Sequence, residues 1–120
     1  DVALFKQVII NLAQNAVAAM KDGGILGIYT QIKNEQFIIS VADTGEGMDE
    51  QTCSRVFEPY FTTKANGTGL GLTMVYKIIK ESAGEIEVRS FPGEGTIFTI
   101  SLPIPQKERH SLEFGGEVQS

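Results

Sequence analysis

The apolar segments of this 120-residue chain follow one order twice, a helical pattern and then a pair of short strand patterns. They predict helices over residues 2–20 and 70–82, and strands over 25–33, 36–42, 85–91 and 96–102. Because the strands of each pair are close in sequence, the sheet should be mixed or mostly antiparallel rather than doubly wound and parallel. The order therefore predicts an α+β fold, a two-layer α/β sandwich with the helices packed on one face of the sheet.

Each helical pattern carries one apolar stripe, whose residues recur at spacings of three and four. The predicted core residues are Leu4, Val8, Ile9, Leu12, Ala16 and Ala19 in the first helix, and Leu72, Val75, Ile78 and Ile79 in the second. Gly23 and Gly84 are placed to end the two helices, since glycine is common directly after a helix. Between the helices, a short helix is predicted over 49–57 and a loop over 59–69.

Composition and charge exclude several classes of function. The formal net charge of −5 argues against a nucleic-acid surface, where clusters of basic residues are expected. No apolar stretch reaches the roughly 20 residues of a membrane span, so no direct membrane contact is expected from this segment. The single cysteine, Cys53, excludes an internal disulfide and a cysteine-based zinc cluster, and it fits a reducing cytoplasm.

The length is sufficient for one domain with one core. We expect that domain to cover residues 1–105, with a polar tail over 106–120 that contains the only histidine, His110. The chain begins with Asp1 rather than methionine and enters a helical pattern at once. It is therefore expected to be part of a longer protein and to lack N-terminal strands of its domain.

Two asparagines, Asn11 and Asn15, lie four residues apart on the first predicted helix. This spacing places them on one face, at the border of the apolar stripe. An unpaired amide in an apolar site costs about 1–3 kcal/mol, so the pair needs partners. A magnesium–phosphate cluster would supply them, since Mg²⁺ takes oxygen ligands. Hydrogen bonds to a neighbouring loop are the alternative.

Asp43 follows the second predicted strand and precedes Gly45 and Gly47. Glycine lets a backbone come close to a flat ligand and adopt positive φ. A carboxylate at this corner can accept a hydrogen bond from an exocyclic amine such as that of adenine. An ordinary Asp-x-Gly turn is the alternative.

A second glycine cluster, Gly67, Gly69 and Gly71, leads directly into the second helix. Such loops bind phosphates through free backbone N–H groups and the helix dipole. A dinucleotide fingerprint would require a strand before this loop, and a P-loop would require a following Gly-Lys-Ser/Thr, so neither fits. A flexible hinge is the other interpretation, and it is compatible with phosphate binding.

The segment from Phe57 to Lys64 combines aromatic residues with hydroxyls and a cation. Its aromatic residues can anchor a mobile loop, while Thr62, Thr63 and Lys64 can interact with phosphate. The alternative is an aromatic edge of the core followed by a solvated lysine.

Taken in order, these segments resemble the catalytic, ATP-binding domain of sensor histidine kinases, over about residues 1–103. That domain belongs to the superfamily of gyrase, heat-shock chaperones, histidine kinases and mismatch-repair ATPases, which has the Bergerat-type fold. The segments that resemble its N box, first glycine box, F box, second glycine box and last glycine box are 7–16, 43–48, 57–64, 67–72 and 93–96.

The resemblance implies roles for individual residues. Asn15 would bind Mg²⁺ and Asn11 would lie near the phosphates of ATP, with Lys64 as a third catalytic candidate. Asp43 would bind the adenine amine with help from Thr96, and Gly45 and Gly47 would let the base pack closely. Residues 58–69 would form a lid over the nucleotide. The further residues implied to contact the nucleotide are Met48, Phe57, Thr62, Thr63, Gly67, Thr68, Gly69, Leu70, Gly71 and Leu72.

The resemblance also implies a reaction and its partners. Hydrolytic members carry a glutamate where this chain has Asn11, and an amide cannot take a proton from water. This favours transfer of the γ-phosphate to a histidine on a separate phosphoacceptor domain of the same kinase, with a response regulator downstream and a homodimeric parent protein. Ala18 departs from the basic residue common in the family, and His110 lacks the helical context of a phosphoacceptor. The alternatives are an ATPase, an anti-sigma-type serine kinase, or a nucleotide-sensing module without catalysis.

Overall fold

The computed structural model describes residues 2–59, 61 and 71–105. Within these residues it contains three helices and four strands. The elements are α1 (Val2–Ala19), β1 (Leu26–Lys33), β2 (Gln36–Asp43), α2 (Glu50–Cys53), α3 (Gly71–Glu81), β3 (Glu85–Phe91) and β4 (Gly95–Pro103). Except for α2, each begins and ends close to its predicted bounds. The predicted tail and most of the predicted lid lie outside the described residues.

The strands form one sheet in the order β1-β2-β4-β3. Each pair of neighbours in it is antiparallel. The two hairpins meet through β2 and β4, where Val41 lies opposite Phe98 and Asp43 lies opposite Thr96. The prediction of an α+β fold is confirmed, and the described part of the sheet is antiparallel rather than mixed.

The core lies between the sheet and the two longer helices. Val8 and Leu12 of α1 and Val75 and Ile79 of α3 are fully or almost fully buried. They pack against the inward-facing side chains of three strands, which are Val41, Ile86, Phe98 and Ile100. The predicted stripes therefore face the sheet, as the spacing indicated.

Leu4 is an exception to the predicted core, because 48% of its surface is exposed. It lies at the open end of the interface between α1 and the sheet, beside Phe5 and Phe37 in a groove of about 590 Å³. The prediction for Leu4 was wrong because the first turn of α1 extends beyond the tightly packed part of the interface.

The helix α2 is also shorter than predicted. Asp49 caps it by accepting a hydrogen bond from the backbone N–H of Thr52 at 2.7 Å. After Cys53 the chain continues in turns with bonds between residues three apart, from Arg55 to Thr52 and from Glu58 to Arg55. These tighter turns replace the rest of the helix predicted over 49–57.

Among the described helices, α1 alone is long and apolar enough to be a candidate membrane span, with 18 residues and a mean hydropathy of 1.3. The core helix of a globular domain can meet the same criteria. Three of its own residues, Val8, Leu12 and Ala16, are buried in the fold. We therefore interpret α1 as a core helix.

The burial of α3 gives a first prediction. Ile79→Val should lower the free energy of unfolding by about 0.5–1.5 kcal/mol, because it removes a methylene from a side chain that is 1% exposed. Ile32→Val is the matched control, since Ile32 is 55% exposed, and it should cost much less. Urea denaturation of the two variants measures the difference, and equal losses would contradict this account of the core.

Candidate functional site

Three polar side chains form a row across the sheet at one end of the core. Thr96 of β4 is opposite Asp43 of β2 on one side and opposite Ser90 of β3 on the other. Their neighbours two residues along, Val41 and Phe98, are core residues, so the row lies on the helical face of the sheet. Asp43 and Thr96 are 7% and 5% exposed. We call these three residues the polar row.

Asp43 is held by the loop that follows it. One carboxylate oxygen, Oδ1, accepts a hydrogen bond from the backbone N–H of Gly45 at 2.8 Å. Among the described residues, no hydrogen bond is formed to the other oxygen, Oδ2. The turn interpretation and the ligand interpretation of Asp43 are thus compatible, because one oxygen forms the turn and the other can accept from a ligand.

The loop 44–48 is fixed to two neighbouring elements. The Glu46 N–H donates to the carbonyl of Ala19 at 2.9 Å, and the Glu46 carbonyl accepts from the N–H of Gly93 at 2.7 Å. The Met48 N–H donates to Ser90 Oγ at 2.8 Å. The loop therefore joins the end of α1 to the turn between β3 and β4.

Gly45 and Gly47 make this attachment possible. A Cβ at Gly45 would collide with the backbone of Ala19, and one at Gly47 would collide with the carbonyl of Phe91. Gly47 also has a φ of 69°, which side-chain-bearing residues rarely adopt. These two glycines therefore let the loop pack closely against the chain's own backbone. This is a second reason for glycine here, independent of the close packing of a base that the sequence suggested.

A cavity of about 70 Å³ lies between α1, this loop and Thr96 of the polar row, and Asp43 and Ser90 are not among its lining residues. Five of the residues predicted to contact a nucleotide or its metal line it, namely Asn15, Gly47, Met48, Leu72 and Thr96. Ligand pockets usually measure roughly 300–1,000 Å³. Residues 62–70, which connect the lining residue Phe61 to α3, lie outside the described residues.

Asn11 lies one turn before Asn15 and is not part of the cavity lining. Its Nδ2 atom is buried and has no hydrogen-bond partner among the described residues. A Cβ at Gly71 would lie 3.6 Å from its Oδ1, so the amide is next to the N-terminus of α3. A buried donor without a partner costs about 1–3 kcal/mol, which a ligand with acceptor oxygens would recover.

Phe57 is partly buried, packs against the core and is not among the residues that line the cavity. Its ring lies 5.2 Å from that of Tyr76 and 6.2 Å from that of Phe98, measured between centroids. The backbone carbonyl of Phe57 accepts from the hydroxyl of Thr73 at 3.0 Å. In the described structure Phe57 therefore attaches the start of the predicted lid to α3.

The remaining predicted contacts lie outside the described residues. They are Thr62, Thr63, Lys64, Gly67, Thr68, Gly69 and Leu70. Sequence analysis missed Ser90 and Glu46, which hold the site together. The predicted hairpin around residues 92–95 was a usable signal for Ser90, because that pairing places it opposite Thr96.

The described residues contain no group of three His, Cys, Asp or Glu side chains that could hold a metal ion. A Mg²⁺ ion at Asn15 would therefore need oxygens from phosphates and water in addition to the amide. Mg²⁺ is commonly held in that way in nucleotide sites. The side chain type of Asn15, which lines the cavity, and the buried amide donor of Asn11 fit a magnesium–nucleotide ligand.

Three ionisable groups with shifted pKa values lie outside the cavity lining. Hydrogen bonding from the Thr52 backbone lowers the pKa of Asp49, and a hydrogen bond to Glu85 raises the pKa of Lys80. Burial, followed by the nearby charge of Asp49, raises the pKa of the Cys53 thiol. These shifts arise from capping, an ion pair and packing, and none of them places a perturbed acid or base at the cavity.

Comparison with known families gives a match over residues 1–106 to the family described as histidine kinase-, DNA gyrase B-, and HSP90-like ATPase. The chain is 49% identical over 113 residues to sporulation kinase E of Bacillus subtilis strain 168, covering 90% of this chain and 15% of that protein. It is 46% identical over 105 residues to the signal transduction histidine-protein kinase AtoS of Escherichia coli K12, covering 87% of this chain and 17% of that protein.

Solved structures show the same architecture. The catalytic domain of histidine kinase ThkA superposes with a TM-score of 0.77 at 36% identity, covering 86% of this chain and 68% of that chain. Full-length ShkA in complex with AMPPNP superposes with a TM-score of 0.75 at 29% identity, covering 83% of this chain and 21% of that chain. The resemblance inferred from the sequence segments is confirmed.

Proposed function

The chain belongs to the histidine kinase-, DNA gyrase B-, and HSP90-like ATPase family, and from this membership we propose that it is the catalytic domain of a sensor histidine kinase. In this function it binds Mg-ATP and transfers the γ-phosphate to a histidine on a separate phosphoacceptor domain. The observation that carries the proposal is the cavity in which Asn15 of α1 lies together with Thr96 of the polar row. In this cavity the amide of Asn15 is suited to a metal–phosphate group, and the hydroxyl of Thr96 is suited to a base.

At the base end, the chain's own residues supply hydrogen-bond acceptors. Asp43 uses one oxygen for Gly45, and its other oxygen accepts from the adenine amine. Thr96 is its direct neighbour on the next strand and contributes a second polar contact, directly or through water. The complex of ShkA with AMPPNP supports an adenine nucleotide as the ligand.

At the phosphate end, Asn15 would hold Mg²⁺ through its amide oxygen. When bound, the ion neutralises phosphate charge and fixes the geometry of the γ-phosphate. The buried Nδ2 of Asn11 donates to a phosphate oxygen, which supplies the partner it lacks among the described residues. The family resemblance assigns the remaining phosphate contacts to Lys64 and the glycine loop 67–71 and a lid to residues 58–69, most of which lie outside the described residues.

Asn11 also favours transfer over hydrolysis. A carboxylate at this place could take a proton from an attacking water, whereas an amide cannot. The nucleophile is therefore external, the imidazole of a histidine. This distinguishes the kinase function from the ATPase function that the same superfamily supports.

The proposed partners follow from the same function. The chain spans 15% and 17% of the lengths of the two relatives described above, so the parent protein would carry its acceptor domain elsewhere. The parent acts as a homodimer, passes the phosphate to a response regulator and keeps this domain in the cytoplasm.

Phosphotransfer tests this proposal. The 120-residue chain should bind ATP with a Kd in the range of about 1 μM to 1 mM. It should label the parent protein's phosphoacceptor domain from γ-labelled ATP, and it should not label itself. An acceptor domain whose phosphoacceptor histidine is changed to glutamine is the matched control and should stay unlabelled.

The alternatives give different results in the same assay. Steady release of phosphate without an acceptor would indicate an ATPase. Labelling of a serine would indicate a serine kinase. ATP binding with neither release nor transfer would indicate a nucleotide-sensing module.

A further inference from the structure

The hydroxyl of Ser90 connects the loop after Asp43 with the polar row. Its Oγ accepts from the Met48 N–H at 2.8 Å and lies 2.7 Å from the Thr96 hydroxyl. It also lies 3.1 Å from the backbone carbonyl oxygen of Gly95. Ser90 thus contacts both the loop 44–48 and the residue beside Asp43.

The number of available protons determines which group donates in each of these hydrogen bonds. A serine hydroxyl has one proton to donate and two lone pairs that accept. The carbonyl of Gly95 can only accept, so the Ser90 proton belongs there. The Met48 N–H uses one lone pair, and the Thr96 hydroxyl then donates to the other.

The opposite direction leaves a contact unsatisfied. If Ser90 donated to Thr96, the Ser90 and Gly95 oxygens would face each other at 3.1 Å without a proton between them. One lone pair of Ser90 would also lose its donor. The first arrangement makes every contact of Ser90 a hydrogen bond, and it uses the only hydroxyl proton of Thr96.

We propose that Ser90 is a positioning residue that sets the base preference of the site, by making Thr96 a hydrogen-bond acceptor toward the cavity. The proposal rests on the nucleotide-binding function proposed above. With its proton held by Ser90, Thr96 presents only lone pairs to the cavity that it lines. The Asp43 carboxylate beside it is also an acceptor.

Two neighbouring acceptors select for a donor between them. The Cβ atoms of directly opposite residues in an antiparallel pair are about 4.5–5.5 Å apart, so one amine nitrogen or one water can bridge the two side chains. The 6-amino group of adenine carries two N–H donors. The 6-oxo group of hypoxanthine is an acceptor at the same ring position, so it could accept no hydrogen bond from either Asp43 or Thr96. Without Ser90, Thr96 can turn its proton outward and donate to that oxygen.

The test compares ATP with ITP, which carries hypoxanthine, on the full 120-residue chain. Isothermal titration calorimetry with magnesium gives both dissociation constants. Ser90→Ala should reduce the preference for ATP over ITP by about tenfold, because one hydrogen bond changes direction. Ser90→Thr keeps a hydroxyl at this place and should keep the preference of the unsubstituted chain.

Ser40→Ala is the matched control. Ser40 and Thr99 form another cross-strand pair of hydroxyls in the same sheet, 3.5 Å apart. They lie on the opposite face from the polar row, so this change should leave the preference unaltered. If Ser90→Ala fails to fold, Ser90→Cys gives the same comparison, since a thiol is a weak donor and acceptor.

Each other outcome contradicts the proposal in a distinguishable way. Equal weakening of ATP and ITP in Ser90→Ala would indicate a purely structural role. ATP binding by the unsubstituted chain without any preference over ITP would overturn the role of Ser90 and leave the ATP function standing. Failure of the unsubstituted chain to bind either nucleotide would overturn both.

Discussion

Replacing Asp43 with asparagine should abolish binding of adenine nucleotides, with a loss of affinity of about 100-fold or more. The Gly45 N–H lies 2.8 Å from Oδ1 and would keep an amide oxygen in that place. The new NH₂ group would then occupy the position of Oδ2 and face the adenine amine, so that donor opposes donor. A hydrogen bond to a charged group contributes about 1.5–3 kcal/mol, and about 2.7 kcal/mol corresponds to 100-fold in affinity.

Calorimetric titration with a non-hydrolysable ATP analogue and magnesium measures this loss. Asp22→Asn is the matched control, because it is the same chemical change at an exposed residue of the turn after α1, away from the polar row. Circular dichroism of both variants checks the fold, which should be unchanged. ATP-analogue affinity that is the same in Asp43→Asn as in the unsubstituted chain would remove Asp43 from the proposed role.

The main elements of this fold could be predicted because their signals are local. The second helix was predicted over 70–82 and lies at Gly71–Glu81, and it ends just before the predicted Gly84, although Ala83 rather than Gly84 takes the left-handed conformation after it, with a φ of 60°. The pairing of the two hairpins with each other has no local signal of this sort. The pairing of β2 with β4 joins residues about 60 positions apart, such as Val41 and Phe98, and depends on packing against both helices.

The predictions for Leu4 and for the length of α2 were wrong for physical reasons that the spacing of apolar residues does not reveal. Leu4 matches the apolar stripe of α1, but a stripe does not reveal where the sheet beneath it ends. The segment after Asp49 has a good cap, yet its hydrogen bonds change to the tighter three-residue pattern after one turn of helix. Both differences arise from tertiary contacts at the ends of elements.

The site was partly predictable for a similar reason. The spacing of Asn11 and Asn15 and the position of Asp43 at a strand end are properties of single elements. Ser90 acts through its register with Thr96 and through a loop bond to Met48, which arise only when three segments meet. The residues proposed to contact a ligand therefore have signals in the sequence, whereas the residue proposed to orient one of them does not.

Asn15→Ala should reduce magnesium-dependent phosphotransfer by at least about 100-fold while leaving the fold intact. Asn15 is the residue of the pair that lines the cavity, and its amide oxygen is the proposed protein ligand of the ion. The described residues contain no group of three His, Cys, Asp or Glu side chains that could hold the ion instead. Misplacement of a reacting phosphate by about 1 Å can alone cost roughly 100-fold in rate. Alanine is the best helix former, so α1 should be retained.

The measurement is the initial rate of label transfer from γ-labelled ATP to the acceptor domain at several magnesium concentrations. Gln14→Ala is the matched control, since Gln14 is the exposed neighbour of Asn15 on the same helix and is absent from the cavity lining. It should transfer phosphate at the rate of the unsubstituted chain, and both variants should unfold at similar temperatures. If Asn15→Ala retains the full rate and the same dependence on magnesium, the metal ligand is elsewhere, and the role assigned to the N-box amide is wrong.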